Sequence, residues 1–185
     1  ISPVDAAKIA YGEGIAVSVV GITNPEENIN MNMEAVKAIA EAGGGLWDYS
    51  NMEELEDTVR NITLNTTLKT IECIVDRQLK VIIGEDISNL EPQSKKKIMD
   101  FIGKYGRGIN LKCIVVVDTG KSIKGGFTDV KRSITGLLES FQERKSSSII
   151  AVLGCPVESN RMYKIICDFT CDINLLRQSL EQMHC

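Results

Sequence analysis

The chain has 185 residues, 43% of them apolar and 25% charged, which suits one ordinary globular domain or parts of two with a buried core. Its net charge of −4 excludes a protein that holds nucleic acid through a basic stripe. No apolar run reaches the length of a membrane span and no signal-type apolar stretch opens the chain, which argues against a helical membrane anchor.

Ser2-Pro3 reads as an N-cap and first-turn pair opening a helix through Val4, Ala7, Ile9 and Ala10, stopped by Gly12 and Gly14. Ile15–Ile22 has no charge and reads as a strand. A polar loop from Thr23 to Asn32 leads to a helix over Met33–Ala42, ended by Gly43-Gly44-Gly45. Leu46–Tyr49 is a short strand candidate. Ser50 and Glu53 form a capping-box pattern before a helix whose inner stripe is Leu55, Val59 and Ile62.

The next stretch, 65–108, reads as a helical connector. Leu68, Ile71, Ile74 or Val75, and Leu79 have helical period, and Gly84 is a stop. Val81-Ile82-Ile83 could supply a short strand. A second helix follows Pro92, with Ile98, Phe101, Ile102 and Tyr105 on one face and Gly106 and Gly108 at its end. Lys95-Lys96-Lys97, the one dense basic run, is expected on the solvated side of that helix.

Strands and helices then alternate. Leu111–Val117 reads as a buried parallel strand, and Phe127, Val130, Ile134, Leu137, Leu138 and Phe141 mark an amphipathic helix. Ile149–Leu153 is a strand. Met162–Phe169 alternates, with Tyr163, Ile165, Cys167 and Phe169 on one face. Asp172 caps a final helix carrying Ile173, Leu176, Leu180 and Met183. This order predicts an α/β fold, a mostly parallel open sheet with helices on both faces.

The six cysteines are Cys73, Cys113, Cys155, Cys167, Cys171 and Cys185, with no CxxC pair, which points to free thiols in a reducing, cytoplasmic compartment. The chain starts at Ile1 rather than Met, which leaves room for an upstream segment. His184 is the one histidine, so no cysteine–histidine catalytic pair is argued.

The chemistry concentrates in Cys113–Ser122, where a β-branched run ends in Asp118-Thr119-Gly120-Lys121-Ser122. In open α/β sheets, ligands bind at the carboxyl ends of strands. Asp118 and Ser122 are hard oxygen donors suited to Mg²⁺, with Mn²⁺ or Ca²⁺ as alternatives. Gly120-Lys121-Ser122 also spells the tail of a nucleotide-binding P-loop, which gives the alternative of a nucleotide-binding protein or NTPase. That motif needs a glycine at position 115, where a β-branched valine stands, so the phosphate reading is the weaker one.

An Asp-x-Gly-x-Ser strand end with a helix after it resembles the start of a von Willebrand factor A domain. Phe127–Ile134 resembles that family's first helix, and Ser148–Gly154 its second strand. Asp168–Asp172 with Leu175-Leu176 resembles the segment before its second metal loop. Asp5–Ala10 with Gly14–Val17, and Ile39–Gly45 with Trp47–Tyr49 and Glu53-Glu54-Leu55, resemble the family's closing elements. Residues 1–64 therefore resemble the C-terminal half of such a domain and 109–185 the N-terminal half, in reversed order and without the middle.

The resemblance implies a non-enzymatic protein-binding module with a weakened metal-ion-dependent adhesion site. Asp118 would act through water and Ser122 directly, while Thr119, Gly120 and Lys121 would meet the partner. Gly120 stands where the family has a serine, and the family's threonine and second aspartate have no match. Thr170 belongs to the segment upstream of that loop and is not counted as a donor. The partner is another protein, not nucleic acid or membrane. Three arrangements account for the reversed order: a segment of a tandem array, a circular permutant, or a homodimer that exchanges elements. A compact monomer without the middle is expected to pair the strand at 111–117 with that at 15–22, because unpaired ladder groups are costly when buried.

Overall fold

The computed structural model describes residues 1–22, 33–84, 89–105, 110–120, 126–144, 146–155 and 162–183, with side chains left aside at 83, 102, 103 and 105. The fold is α/β and Rossmann-like, with parallel strand pairs and connecting helices. The chain clusters into two compact units, Ile1–Ser50 with Asn61–Arg107, and Asn51–Arg60 with Gly108–Cys185.

In the first unit, α1 (Pro3–Gly12) starts where the sequence places it. The Asp5 N–H donates to Ser2 Oγ at 3.1 Å, and Gly14 takes φ 83° after the helix. Strands β1 (Val17–Ile22) and β2 (Gly44–Ser50) pair in parallel, and α2 (Met33–Ala42) packs against both. Gly44 adopts φ 65°, so the glycine run turns the chain out of α2 and straight into β2. The expected Thr23–Asn32 loop lies outside the described residues.

The two helical patterns on either side of residue 65 form one 29-residue helix, α3 (Leu55–Ile83). Its start corrects the capping-box expectation. Ser50 is buried as the last residue of β2, and it is Asn51 Oδ1 that accepts the Glu54 N–H at 2.9 Å. Val81-Ile82-Ile83 is not a strand but the last turn of α3, with Val81 and Ile82 exposed. Val75 rather than Ile74 continues the half-buried stripe. Polar contacts tie α3 to the small sheet: Thr66 Oγ1 and Ser18 Oγ lie 2.7 Å apart, and Lys69 Nζ donates to Gly45 O at 3.1 Å. In α4 (Pro92–Tyr105), Lys95, Lys96 and Lys97 are exposed as expected, but so is Phe101. Gly106 and Gly108 lie outside the described residues.

The second unit holds a three-stranded sheet in the order β3-β4-β5, from β3 (Lys112–Asp118), β4 (Ile149–Cys155) and β5 (Lys164–Thr170). The β3–β4 pair is parallel and unbroken in register, whereas β4–β5 is antiparallel with two irregularities. Those irregularities break the alternation expected for β5: Cys167 is buried while Tyr163, Ile165 and Phe169 are exposed. The core is Val130, Ile134, Leu137, Leu138 and Phe141 of α5 (Phe127–Glu143), Ile150 and Val152 of β4, and Leu176 and Leu180 of α6 (Ile173–Glu181). Asp172 caps α6 as its position suggests, with Oδ1 accepting the N–H groups of Asn174 and Leu175.

Two expectations about strand partners are overturned. The strand pairs among the described residues lie within each unit, β1 with β2 and β3 with β4, rather than joining 111–117 to 15–22. Nor is β3 buried on both faces. Among the described residues it is the edge of its sheet, and Ile114 and Val116 are exposed while Val117 is buried.

Candidate functional site

The carboxyl end of β3 is set by its pairing with β4. Asp118 lies opposite Cys155, and the Thr119 N–H donates to Cys155 O, which extends the ladder one residue beyond the strand. Gly154 beside it leaves space for this approach: a Cβ there would come within 3.1 Å of both Thr119 Cγ2 and Ile166 Cδ1. Asp118 is exposed. Its Oδ1 accepts the Gly120 N–H at 2.7 Å, an Asx-type turn that bends the chain as it leaves the sheet.

Of the residues expected at this site, Asp118, Thr119 and Gly120 are brought together at the strand end. Lys121 and Ser122 lie outside the described residues. Among the described residues, no group of three or more His, Cys, Asp or Glu side chains is placed to hold a metal ion. The other acids named in the sequence serve local structure, since Asp168 Oδ1 accepts the Phe169 N–H at 2.7 Å and Asp172 caps α6. Thr170 Oγ1 accepts the Asp172 N–H at 2.9 Å.

Val115 sits mid-strand opposite Val152, so the Gly120-Lys121-Ser122 spelling lacks the opening turn that lets a phosphate loop wrap its ligand. Cys113, near the start of the same strand, is an unsuitable nucleophile. Burial pushes its thiol up to about 11, so it stays protonated at neutral pH.

A second feature was not legible in the sequence. A groove of about 380 Å³ is lined by α5 and α6 together with Glu56. Its cations and anions largely satisfy one another. Arg177 pairs with Glu139 at 2.6 Å, Arg132 with Asp129 at 3.1 Å and Glu56 with Arg60 at 3.1 Å. Gly136 admits Glu56 to the surface of α5, where a Cβ would meet its Oε1 at 2.5 Å. Residues from three separated segments converge here, and no local motif announces that.

No family model matches the chain. It is 28% identical over 152 residues to the uncharacterized protein YabS of Bacillus subtilis strain 168, a match that covers 81% of this chain. The matched region spans 62% of that relative's length. Among solved structures, an uncharacterized protein from Alicyclobacillus acidocaldarius superposes with a TM-score of 0.88 at 23% identity, covering 99% of this chain and 78% of that one. That likeness establishes the α/β fold. Among the described residues, no helix is long and apolar enough to cross a membrane.

Proposed function

We propose that the chain is a non-enzymatic protein-binding module of the von Willebrand factor A type, with a weakened divalent-cation site at the carboxyl end of β3. The observation that carries this reading is the exposed Asp118, presented at the end of a strand paired in parallel and followed directly by a turn. Thr119 and Gly120 at the strand end face the partner in this reading, and Lys121 is added only because the resemblance implies it. One Asp118 oxygen is engaged by the Gly120 N–H, which leaves the other for a cation, with Ser122 as the second donor that the resemblance implies.

Two protein donors leave most of an octahedral shell to water, so affinity for Mg²⁺, Mn²⁺ or Ca²⁺ should be weak, about millimolar. A carboxylate from the partner would raise it. Free thiols at the five described cysteines support a cytoplasmic setting.

Titration calorimetry tests the proposal against the nucleotide alternative. Mn²⁺ is expected to bind the chain weakly and Asp118→Ala not at all, while ATP with Mg²⁺ gives no binding heat. ATP binding that disappears in Lys121→Ala would sink the module reading.

A further inference from the structure

The open edge of β3 carries a self-complementary pattern. Leu111 N–H donates to Ser148 Oγ at 2.8 Å, Ile149 N–H donates to Leu111 O at 2.9 Å, and Thr119 N–H donates to Cys155 O. Odd-numbered backbone groups of β3 therefore face β4. By the alternation of a strand, the N–H and C=O groups of Lys112, Ile114, Val116 and Asp118 point to the free edge. Their side chains share one face of the sheet. Ile114 is 51% exposed and Val116 61%, with Ile165 at 57% and Phe169 at 43% on β5.

Protected edges carry prolines, bulges or charges within the strand. Here β3 has no proline and no break in register with β4, and its only charges are at its two ends, Lys112 and Asp118. No strand pairs with this edge among the described residues.

We propose that β3 pairs antiparallel with β3 of a second copy of this chain, about a two-fold axis at Val115. In that register, Lys112 stands opposite Asp118 at both ends of the ladder and Ile114 stands opposite Val116 on both sides of the axis. All four free-edge residues of each strand fall at positions that exchange backbone hydrogen bonds. The charges attract rather than repel, and the exposed apolar pairs bury one another. The joined sheet runs β5-β4-β3-β3-β4-β5, with Ile114 and Val116 of both copies on one continuous face. The pairing needs no exchange of elements and does not rest on Asp118 acting as a cation donor.

Sedimentation equilibrium over about a hundredfold concentration range should show the mass rising towards twice the 20.3 kDa of the chain. Lys112→Asp alone and Asp118→Lys alone each place like charges opposite one another. Each should weaken self-association by about tenfold or more. An equimolar mixture of the two variants restores both attractive pairs and should associate as tightly as the original chain. Val116→Lys, which leaves the Asp118 turn untouched, should also be monomeric, with circular dichroism confirming the fold of every variant. A chain that stays monomeric throughout the range overturns the proposal. So do charge variants that associate as tightly as the original, or a mixture no tighter than its components; these last two results would place any dimer on another surface or on exchanged elements.

Discussion

Gly45→Ala is expected to destabilise the first unit by about 3 kcal/mol, the upper part of the range for forcing atoms into a packed site. A Cβ at Gly45 would lie 2.2 Å from Val17 O and 2.6 Å from Ser18 Oγ. The first is a backbone atom held in place by the β1–β2 ladder, so relief requires moving a strand. The Ser18 hydroxyl is also committed, because the Leu46 N–H donates to it at 3.0 Å and Thr66 Oγ1 lies 2.7 Å away. Urea unfolding followed by the fluorescence of Trp47, the one tryptophan and a residue of β2, reads this unit directly. Gly12→Ala is the control. Nothing lies within 4 Å of a Cβ there, and the position is helical, so no loss of stability is expected. Equal unfolding midpoints for Gly45→Ala and the original chain would show that β1 and β2 do not approach as closely as described.

Leu138→Ala is expected to cost the second unit about 3 kcal/mol or more, through lost apolar burial and a residual cavity. Leu138 is fully buried on α5, where Leu137, Ile134 and Phe141 are also buried, and the same core contains Ile150, Val152, Leu176 and Leu180. Hydrogen exchange at the Val152 amide of central β4 should speed up by about two orders of magnitude if it opens with the unit. Leu175→Ala, at a half-exposed position of α6, should leave that rate nearly unchanged. Similar rates for both variants would mean that the apolar stripe of α5 is not the centre of this core.

The elements that could be read from the sequence are those specified by neighbours. Ser2 and Pro3 give the start of α1, Asp172 gives the start of α6, and the stripe from Val130 to Phe141 gives α5. Each signal is complete within a turn or two of helix. Failures occur where the deciding contact is distant or where two local signals compete. Ser50 and Glu53 satisfy the capping pattern, but Ser50 is already the end of β2, and α3 begins only at Leu55, after a turn in which Asn51 Oδ1 accepts the Glu54 N–H. Val81-Ile82-Ile83 has strand composition, yet α3 simply continues through it, since a short apolar run has no period of its own. Gly43-Gly44-Gly45 reads as a helix stop, but the tightest constraint on Gly45 comes from Val17, far away in sequence.

The same distinction applies to the site. That Asp118 ends a strand is legible, because the β-branched run stops there. That the strand is a sheet edge is not, because strand order follows from pairing between segments. Burial of Ile114 and Val116 was expected from composition alone, and their exposure is the consequence of an edge that composition cannot reveal. The Asp118 side chain meanwhile accepts the Gly120 N–H, a local bond that bends the chain at the strand end.

The most direct test of the account is a ¹⁵N amide map of the chain titrated with Mn²⁺, whose unpaired electrons broaden nearby signals. A cation held at the end of β3 should broaden the amides of Asp118, Thr119 and Gly120 first, and Asp118→Ala should abolish that selectivity. Broadening centred elsewhere, or unchanged by Asp118→Ala, would contradict a cation site at the end of this strand.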